Sequence, residues 1–294
     1  MKILLAIDSS AASKVAVSEV AARPWPEGTT VRVLNVVESN LFRGILPLIE
    51  KVTEIAYSSV KEAAETIKAR GIETYETVEQ GHPQTVIAQC AKEWGADFVI
   101  VGSHGLSGLA RFLMGSVAQA VVRHAPCSVE VVRASASDKV NTADSRMRVL
   151  LAIDGSECSI AAARSVAKRP WPAGTEVKIV SAIDFAMPAL EPWYADPNLM
   201  DRLCNAETER MRDAASMAEK IITSAGLKAS LTVPIGHPKA VILDEAKAWG
   251  ADLVVIGSHG RRGIDRVLLG SVSESVAMHA HCSVEVIREL STPK

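Results

Sequence analysis

The sequence predicts an α/β protein made of two tandem domains, each a five-stranded parallel sheet flanked by helices. Three observations carry that prediction. Short β-branched runs alternate with helical patterns, which calls for right-handed crossovers and a mostly parallel sheet. The chain repeats itself in order from end to end. In each repeat a glycine-rich loop stands between an apolar strand and a helix start.

In the first repeat, residues 3–7 form a continuous apolar run, as expected of a strand covered on both faces. Ser9 or Ser10 is placed to cap a helix over 11–22, which Pro24 and Pro26 stop. Residues 31–37 read as the second strand. A loop leads into a long helix ending near Arg70, with Gly71 as its stop. Strand 73–78 follows, then the turn Gly81-His82-Pro83 and a helix ending near Trp94. Strand 98–101, a helix from Ser116 to about His124 closed by Pro126, and strand 129–132 complete the unit.

The second copy keeps the landmarks. Asp8-Ser9-Ser10 returns as Asp154-Gly155-Ser156, and Arg23-Pro24-Trp25-Pro26 as Arg169-Pro170-Trp171-Pro172. Trp94-Gly95-Ala96-Asp97 returns as Trp249-Gly250-Ala251-Asp252, and Cys127-Ser128-Val129-Glu130-Val131 as Cys282-Ser283-Val284-Glu285-Val286. The domains so read span 1–133 and 147–290, joined by a small, polar linker over 134–146. Between 184 and 198 the second copy departs most; its Pro-rich, aromatic stretch from Ala186 to Tyr194 reads as a longer surface loop, with a lid or docking segment as the other reading. In the last strands, valines alternate with Glu130 and Glu285, the pattern of a half-buried edge strand. Such edges can pair, here about a pseudo-twofold axis.

The loops carry the chemistry. Gly102-Ser103-His104-Gly105 is followed after nine residues by Gly115-Ser116, and Gly257-Ser258-His259-Gly260 by Gly270-Ser271 at the same spacing. Glycines let backbone N–H groups approach an anion, and a helix start offers unpaired donors and partial positive charge. Asp8 and Asp154 end their first strands, so a parallel sheet brings them to the same crevice beyond the strand ends. A carboxylate there either caps the next helix or meets a ligand; Ser116 and Ser271 are likewise N-caps or phosphate contacts. His104 and His259 read as turn residues with solvent-facing rings, against the alternative of a phosphate or acid–base group. Arg111 and Arg266, inside the spacers, are as readily solvated as ligand-facing, and Arg261-Arg262 reads as a solvated pair. Cys127 and Cys282 read as buried packing, and the four repeated tryptophans as packing anchors.

Composition bounds the rest. The 294 residues suit two domains, and 48% hydrophobic content is ample for a core. A net charge of -2 makes no case for nucleic acid or anionic lipid. Five cysteines without a C-x-x-C pair form neither a disulfide framework nor a zinc site. Neither a signal-peptide core nor an apolar run of membrane-spanning length is present, so a cytoplasmic location is expected.

A strand ending in Asp, then Gly-x-x-Gly, nine residues and Gly-Ser, twice over, resembles the universal stress protein family in the tandem form of its ATP-binding branch. The resemblance covers nearly the whole chain. It implies Rossmann-like domains of the adenine nucleotide α-hydrolase-like type, paired through their last strands, and a role in stress survival. It implies that Asp8 and Asp154 contact the nucleoside, that the backbone of Val36 and Ala182 meets the adenine edge, and that Gly102 and Gly257 lie beside the ribose. Gly105, Gly115, Ser116 and Val117 would hold the phosphates of one nucleotide, and Gly260, Gly270, Ser271 and Val272 those of the other. Ser181 replaces Asn35 and Ala182 replaces Val36 in the same wall, so two competent sites of unequal affinity are expected. The expected ligand is ATP, with ADP or AMP as alternatives, and Mg²⁺ accompanying it.

No Walker lysine follows these glycines and no carboxylate cluster for two metal ions is apparent, so binding with little turnover is expected. A slow ATPase, or autophosphorylation on Ser116 or Ser271, is the alternative. A PP-loop adenylating enzyme or a dinucleotide dehydrogenase would carry its glycines after the first strand instead. A vestigial dimerisation module fits poorly with intact glycines in both copies. The expected partners are adenine nucleotide and the other half of the chain, with further homodimerisation left open.

Overall fold

The computed structural model describes residues 1–38, 45–105, 114–133, 146–184, 197–261 and 269–288. The linker over 134–145, the stretch from Ala186 to Tyr194, and Arg111, Arg262 and Arg266 lie outside them. The first half runs β1 (Lys2–Ile7), α1 (Ala11–Ala22), β2 (Thr30–Val37), α2 (Leu46–Lys68), β3 (Glu73–Gln80), α3 (Pro83–Trp94), β4 (Phe98–Gly102), α4 (Ser116–His124) and β5 (Ser128–Val132). The second runs β6 (Arg148–Ala152), α5 (Glu157–Lys168), β7 (Glu176–Val180), α6 (Pro197–Ser224), β8 (Lys228–Thr232), α7 (Pro238–Trp249), β9 (Leu253–Gly257), α8 (Ser271–His279) and β10 (Ser283–Ile287).

Local chemistry sets these boundaries. The Ser10 hydroxyl accepts from the Ser13 N–H at 3.2 Å and so caps α1. Arg23, ahead of Pro24, is extended and ends that helix. Gly95 and Gly250 close α3 and α7 at φ +67° and +68°, a conformation that costs other residues more. The repeated Asp97 and Asp252 then tie the strand starts together. Asp97 accepts from the Lys2 N–H at 2.7 Å, and Asp252 from the Arg148 N–H at 2.8 Å.

Each half contributes five parallel strands, as predicted, and the ten form one sheet in the order β3-β2-β1-β4-β5-β10-β9-β6-β7-β8. The halves meet where β5 and β10 pair antiparallel, with Glu130 opposite Glu285. Alternate strand residues feed two layers. Ile3, Leu5 and Ile7 pack with α1 and α2 on one face, while Leu4 and Ala6 pack with α3 and α4 on the other.

The central strands correct the half-buried reading. Every residue of β5 and β10 is buried, the two glutamates at 0% exposure. Their solvent is replaced by arginines from the repeated Arg-Pro-Trp-Pro turns. Arg23 Nη2 and Nη1 donate to Glu130 at 2.6 and 2.7 Å, and Arg23 Nη1 also reaches Glu285 at 3.3 Å. Arg169 grips Glu285 with two bonds of 2.8 and 2.5 Å. Trp25 lies under Arg23, and Trp171 and Phe98 under Arg169, which gives these tryptophans the packing role expected of them. Burial opposes ionisation of both carboxylates. It prevails at Glu130, whose carboxyl is raised, but two-pronged Arg169, helped by Arg23, holds that of Glu285 below its ordinary value.

Glu19, at the rim of this network, is lifted to about 7, mainly by burial, with Arg23 opposing and Glu130 and Glu285 adding. Its folded value exceeds the ordinary 4.5, so its stabilisation is complete below that pH and is lost as pH rises through about 7. Unfolding free energy is therefore expected to be lower at pH 8 than at pH 5.5 by about 1–3 kcal/mol from this group. Glu19→Gln should remove that part of the slope in urea titrations; an unchanged slope would refute the assignment.

On the opposite face the halves exchange helix caps. Arg288, just past β10, donates to the carbonyls of Val122 and Arg123 at the end of α4, both at 2.9 Å. Arg133, just past β5, donates to Ala277 and Met278 at the end of α8, at 2.5 and 3.0 Å. Cations at helix C-termini satisfy both the orphan carbonyls and the helix dipole. Arg123 of α4 also donates to Glu274 of α8 at 2.6 Å. Behind these caps, burial pushes the thiols of Cys127 and Cys282 up to about 12. Both are expected to resist a thiol reagent in the native protein at pH 8 and to react only on unfolding; labelling and peptide mapping checks this.

Candidate nucleotide site

The sheet order reverses between β1 and β4 in the first half and between β6 and β9 in the second. Crevices at such switch points lie beyond the strand C-terminal ends. Asp8 sits at the first. Its Oδ1 accepts from the Ser10 N–H at 3.0 Å and from the Ser13 hydroxyl at 2.6 Å, while the Asp8 N–H donates back to Ser13 Oγ at 2.9 Å. Ser10, not Asp8, is therefore the helix cap. The chain turns off at Asp8, and β2 runs on past it.

That overrun matters. Gly81 N–H donates to the Val37 carbonyl on the β3 side, so the main-chain groups of Val36, one residue earlier, point to the β1 side. β1 has ended at Ile7, opposite Asn35. Val36 thus presents a backbone edge beside Asp8. In the second half Ser181 and Ile183 donate to Thr232 and Pro234 on the β8 side, which turns Ala182 toward Asp154 in the same way. There β7 has already ended at Val180, so this wall is an irregular segment and not a strand.

The loop glycines have different reasons to be glycine. A Cβ on Gly102 would lie 2.9 Å from the backbone carbon of Ala12, and one on Gly257 2.7 Å from that of Cys158. These two are fixed by helix packing against the strand end. A Cβ on Gly105 would lie 2.8 Å from Asp8 Oδ2, and one on Gly260 2.7 Å from Asp154 Oδ2. Each loop is thus laid directly over its carboxylate. Ser10 Oγ and Ser156 Oγ anchor the loops from below, donating to the carbonyls of His104 and His259 at 3.1 and 3.2 Å. Gly115 is different: its nearest contact would be 3.5 Å, at Ser103 O. Packing among the described residues does not demand a glycine there.

Gly115 and Gly270 are the N-caps of α4 and α8, and neither helix start has a side-chain cap. Ser116 and Ser271 are the first helical residues, a correction to their reading as caps. Both are exposed, with Val117 and Val272 half-buried behind them. An uncapped helix start leaves N–H donors unpaired. The loop is held to it by the Gly115 N–H donating to Ser103 O at 2.8 Å, and by the Gly270 N–H donating to Ser258 O at 2.8 Å.

The histidine rings do not face solvent as expected. Nδ1 of His104 and His259 meets the preceding serine hydroxyl at 3.0 and 2.9 Å, and each Nε2 is buried without a partner among the described residues. Burial, then Arg288, holds the His259 imidazole below its usual 6.5, so the ring is neutral at pH 7. Arg261 is not simply solvated either. Its N–H donates to Asp154 Oδ2 at 3.1 Å and its Nη2 to Glu207 Oε1 of α6 at 2.7 Å. Among the described residues, no three His, Cys, Asp or Glu side chains converge on a metal position, and no helix is long and apolar enough to cross a membrane.

The universal stress protein family model matches residues 1–133 and again 145–288. The chain belongs to the universal stress protein family. A universal stress protein of Mycolicibacterium smegmatis is 28% identical over 97% of this chain and 96% of its own length. Universal stress protein Rv2005c of Mycobacterium tuberculosis is 30% identical over 80% of this chain and 76% of its own length. Among solved structures, a universal stress protein from Archaeoglobus fulgidus superposes over 98% of this chain and 96% of its own, with a TM-score of 0.65 and 24% identity. The tandem α/β fold is therefore that of this family.

Proposed function

We propose that this universal stress protein binds adenine nucleotide, ATP in the first place, at the crevice of each half, and holds it with little turnover. The observation that carries the reading is the uncapped start of α4 and α8, beside a glycine loop and a carboxylate, with the Val36 and Ala182 backbone turned toward the same crevice. In this reading Asp8 and the Val36 backbone take the nucleoside, with Gly102 and Gly105 lining the loop. Gly115, Ser116 and Val117 take the phosphates. Asp154, Ala182, Gly257, Gly260, Gly270, Ser271 and Val272 do the same in the second half. The absence of a side-chain cap at Gly115 and Gly270 supports the fit of an anionic ligand at these helix starts. Mg²⁺ accompanying the nucleotide would neutralise part of its phosphate charge. The protein then serves stress survival as a nucleotide-responsive module in the cytoplasm, its two domains, 1–133 and 147–290, working as a pair.

Mass spectrometry of nucleotide released by denaturing the purified protein, followed by titration with Mg-ATP, tests this. Adenine nucleotide carried through purification, or bound on titration, is expected. No nucleotide by either route would overturn the reading. Steady phosphate release, or label on Ser116 or Ser271 from γ-labelled ATP, would replace holding by turnover.

A further inference from the structure

The two halves differ at one connected set of side chains. In the second, Met211 of α6 is fully buried between the pocket wall and the glycine loop. Ser181 Oγ donates to Met211 Sδ at 3.5 Å from the wall, and Arg261 Nη2 lies 4.0 Å from the same sulfur on the loop side. Arg261 is held there by Glu207, one helical turn before Met211 on α6, and Glu207 also pairs with Arg210. Wall, helix and loop are thus bridged in one line, and the Arg261 N–H at its loop end donates to Asp154 Oδ2.

The first half has none of these groups. α2 and α6 align on the glycines that follow them, Gly71 and Gly226, and the alignment matches buried Ala63 and Ile67 to buried Ala218 and Ile222. On it Met211 corresponds to Ala56 and Glu207 to Val52, while the loops align Arg261 with Leu106 and the walls align Ser181 with Asn35. A sulfur–arginine–carboxylate line replaces an alanine, a leucine and a valine.

We infer that Arg261 and Glu207 form a latch that closes the second nucleotide site, so that this site fills only when the latch opens. The inference rests on the nucleotide reading above. A nucleoside reaching Asp154 between Ala182 and the loop must displace the Arg261 side chain from Met211 and Glu207. The pair is 32% and 22% exposed, so it opens at modest cost and acts as a reversible gate, not a permanent plug. The Met211 side chain remains to narrow the wall once the gate is open.

The test uses full-length chains with one site disabled. Ser116→Asp places a carboxylate at the phosphate position of the first half, and Ser271→Asp does so in the second; both suit a helix start and should fold. Mg-ATP titration of the Ser271→Asp chain reads the first site and of the Ser116→Asp chain the second. The second site is expected to be at least about tenfold weaker. Glu207→Val or Arg261→Leu, each the first half's own residue at that position, should tighten the second site about tenfold and leave the first unchanged. Equal affinities in the two single-site chains would overturn the latch. So would a second site unmoved by either substitution, or weakened by Arg261→Leu, which would make Arg261 a ligand contact. Binding at neither site would instead remove the nucleotide reading, and the latch with it.

Discussion

Arg169→Leu is expected to remove about 3–5 kcal/mol of unfolding free energy, because it leaves the fully buried Glu285 carboxylate without its two-pronged partner. Arg23 approaches that carboxylate only at 3.3 Å and is already committed to Glu130 at 2.6 Å. The double variant Arg169→Leu/Glu285→Leu should recover most of the loss, since a buried apolar pair carries no stranded charge. An exposed pair gives the contrast. Lys68 and Glu76 touch at 2.6 Å but are 46% and 39% exposed, so Lys68→Ala should cost less than about 1 kcal/mol. Urea unfolding of the four proteins measures this. A loss under about 1 kcal/mol for Arg169→Leu would show that water reaches Glu285.

Gly102→Ala and Gly115→Ala are expected to fail in opposite ways. A methyl on Gly102 meets the Ala12 backbone at 2.9 Å, so α1 must shift from the strand end. The expected cost is about 1–3 kcal/mol of stability. A methyl on Gly115 makes only ordinary contacts among the described residues, the nearest 3.5 Å at Ser103 O, and the backbone there is in an ordinary extended conformation. Its cost is that of a poorer helix cap, about 1 kcal/mol. The same methyl stands over the uncapped helix start, where a phosphate would approach. Nucleotide affinity of the first site should therefore fall at least about tenfold. Wild-type affinity in a folded Gly115→Ala protein would mean that no phosphate approaches that residue. Melting curves and Mg-ATP titrations on the same preparations separate the two effects.

Much of this was legible in the sequence because it is written in local patterns. Continuous apolar runs, capping serines and helix-stopping prolines mark the elements, and the repeat marks their reuse. The loop glycines were legible as a set, but not their separate causes. Gly102 answers to Ala12 and Gly105 to Asp8, contacts that exist only once β1 and β4 lie side by side. Glu130 and Glu285 were misread for a similar reason. Valine–glutamate alternation is what a solvated strand looks like, and the arginines that change its meaning lie far off in the chain, at 23 and 169. Arg261 looked solvated because its partner, Glu207, belongs to a helix that precedes it by an entire strand–helix–strand unit.

Because β5 and β10 belong to one chain, the contact between the halves obeys tethered and not bimolecular mass action. Its occupancy is set by the effective concentration that the connecting segment enforces, so dilution does not separate the halves. Two separate chains bearing the same strands would assort freely, and like would meet like. Here every molecule carries one copy of each half in fixed stoichiometry. A difference such as Arg261 against Leu106 is therefore inherited by each molecule as a built-in asymmetry, not averaged over a population of pairings.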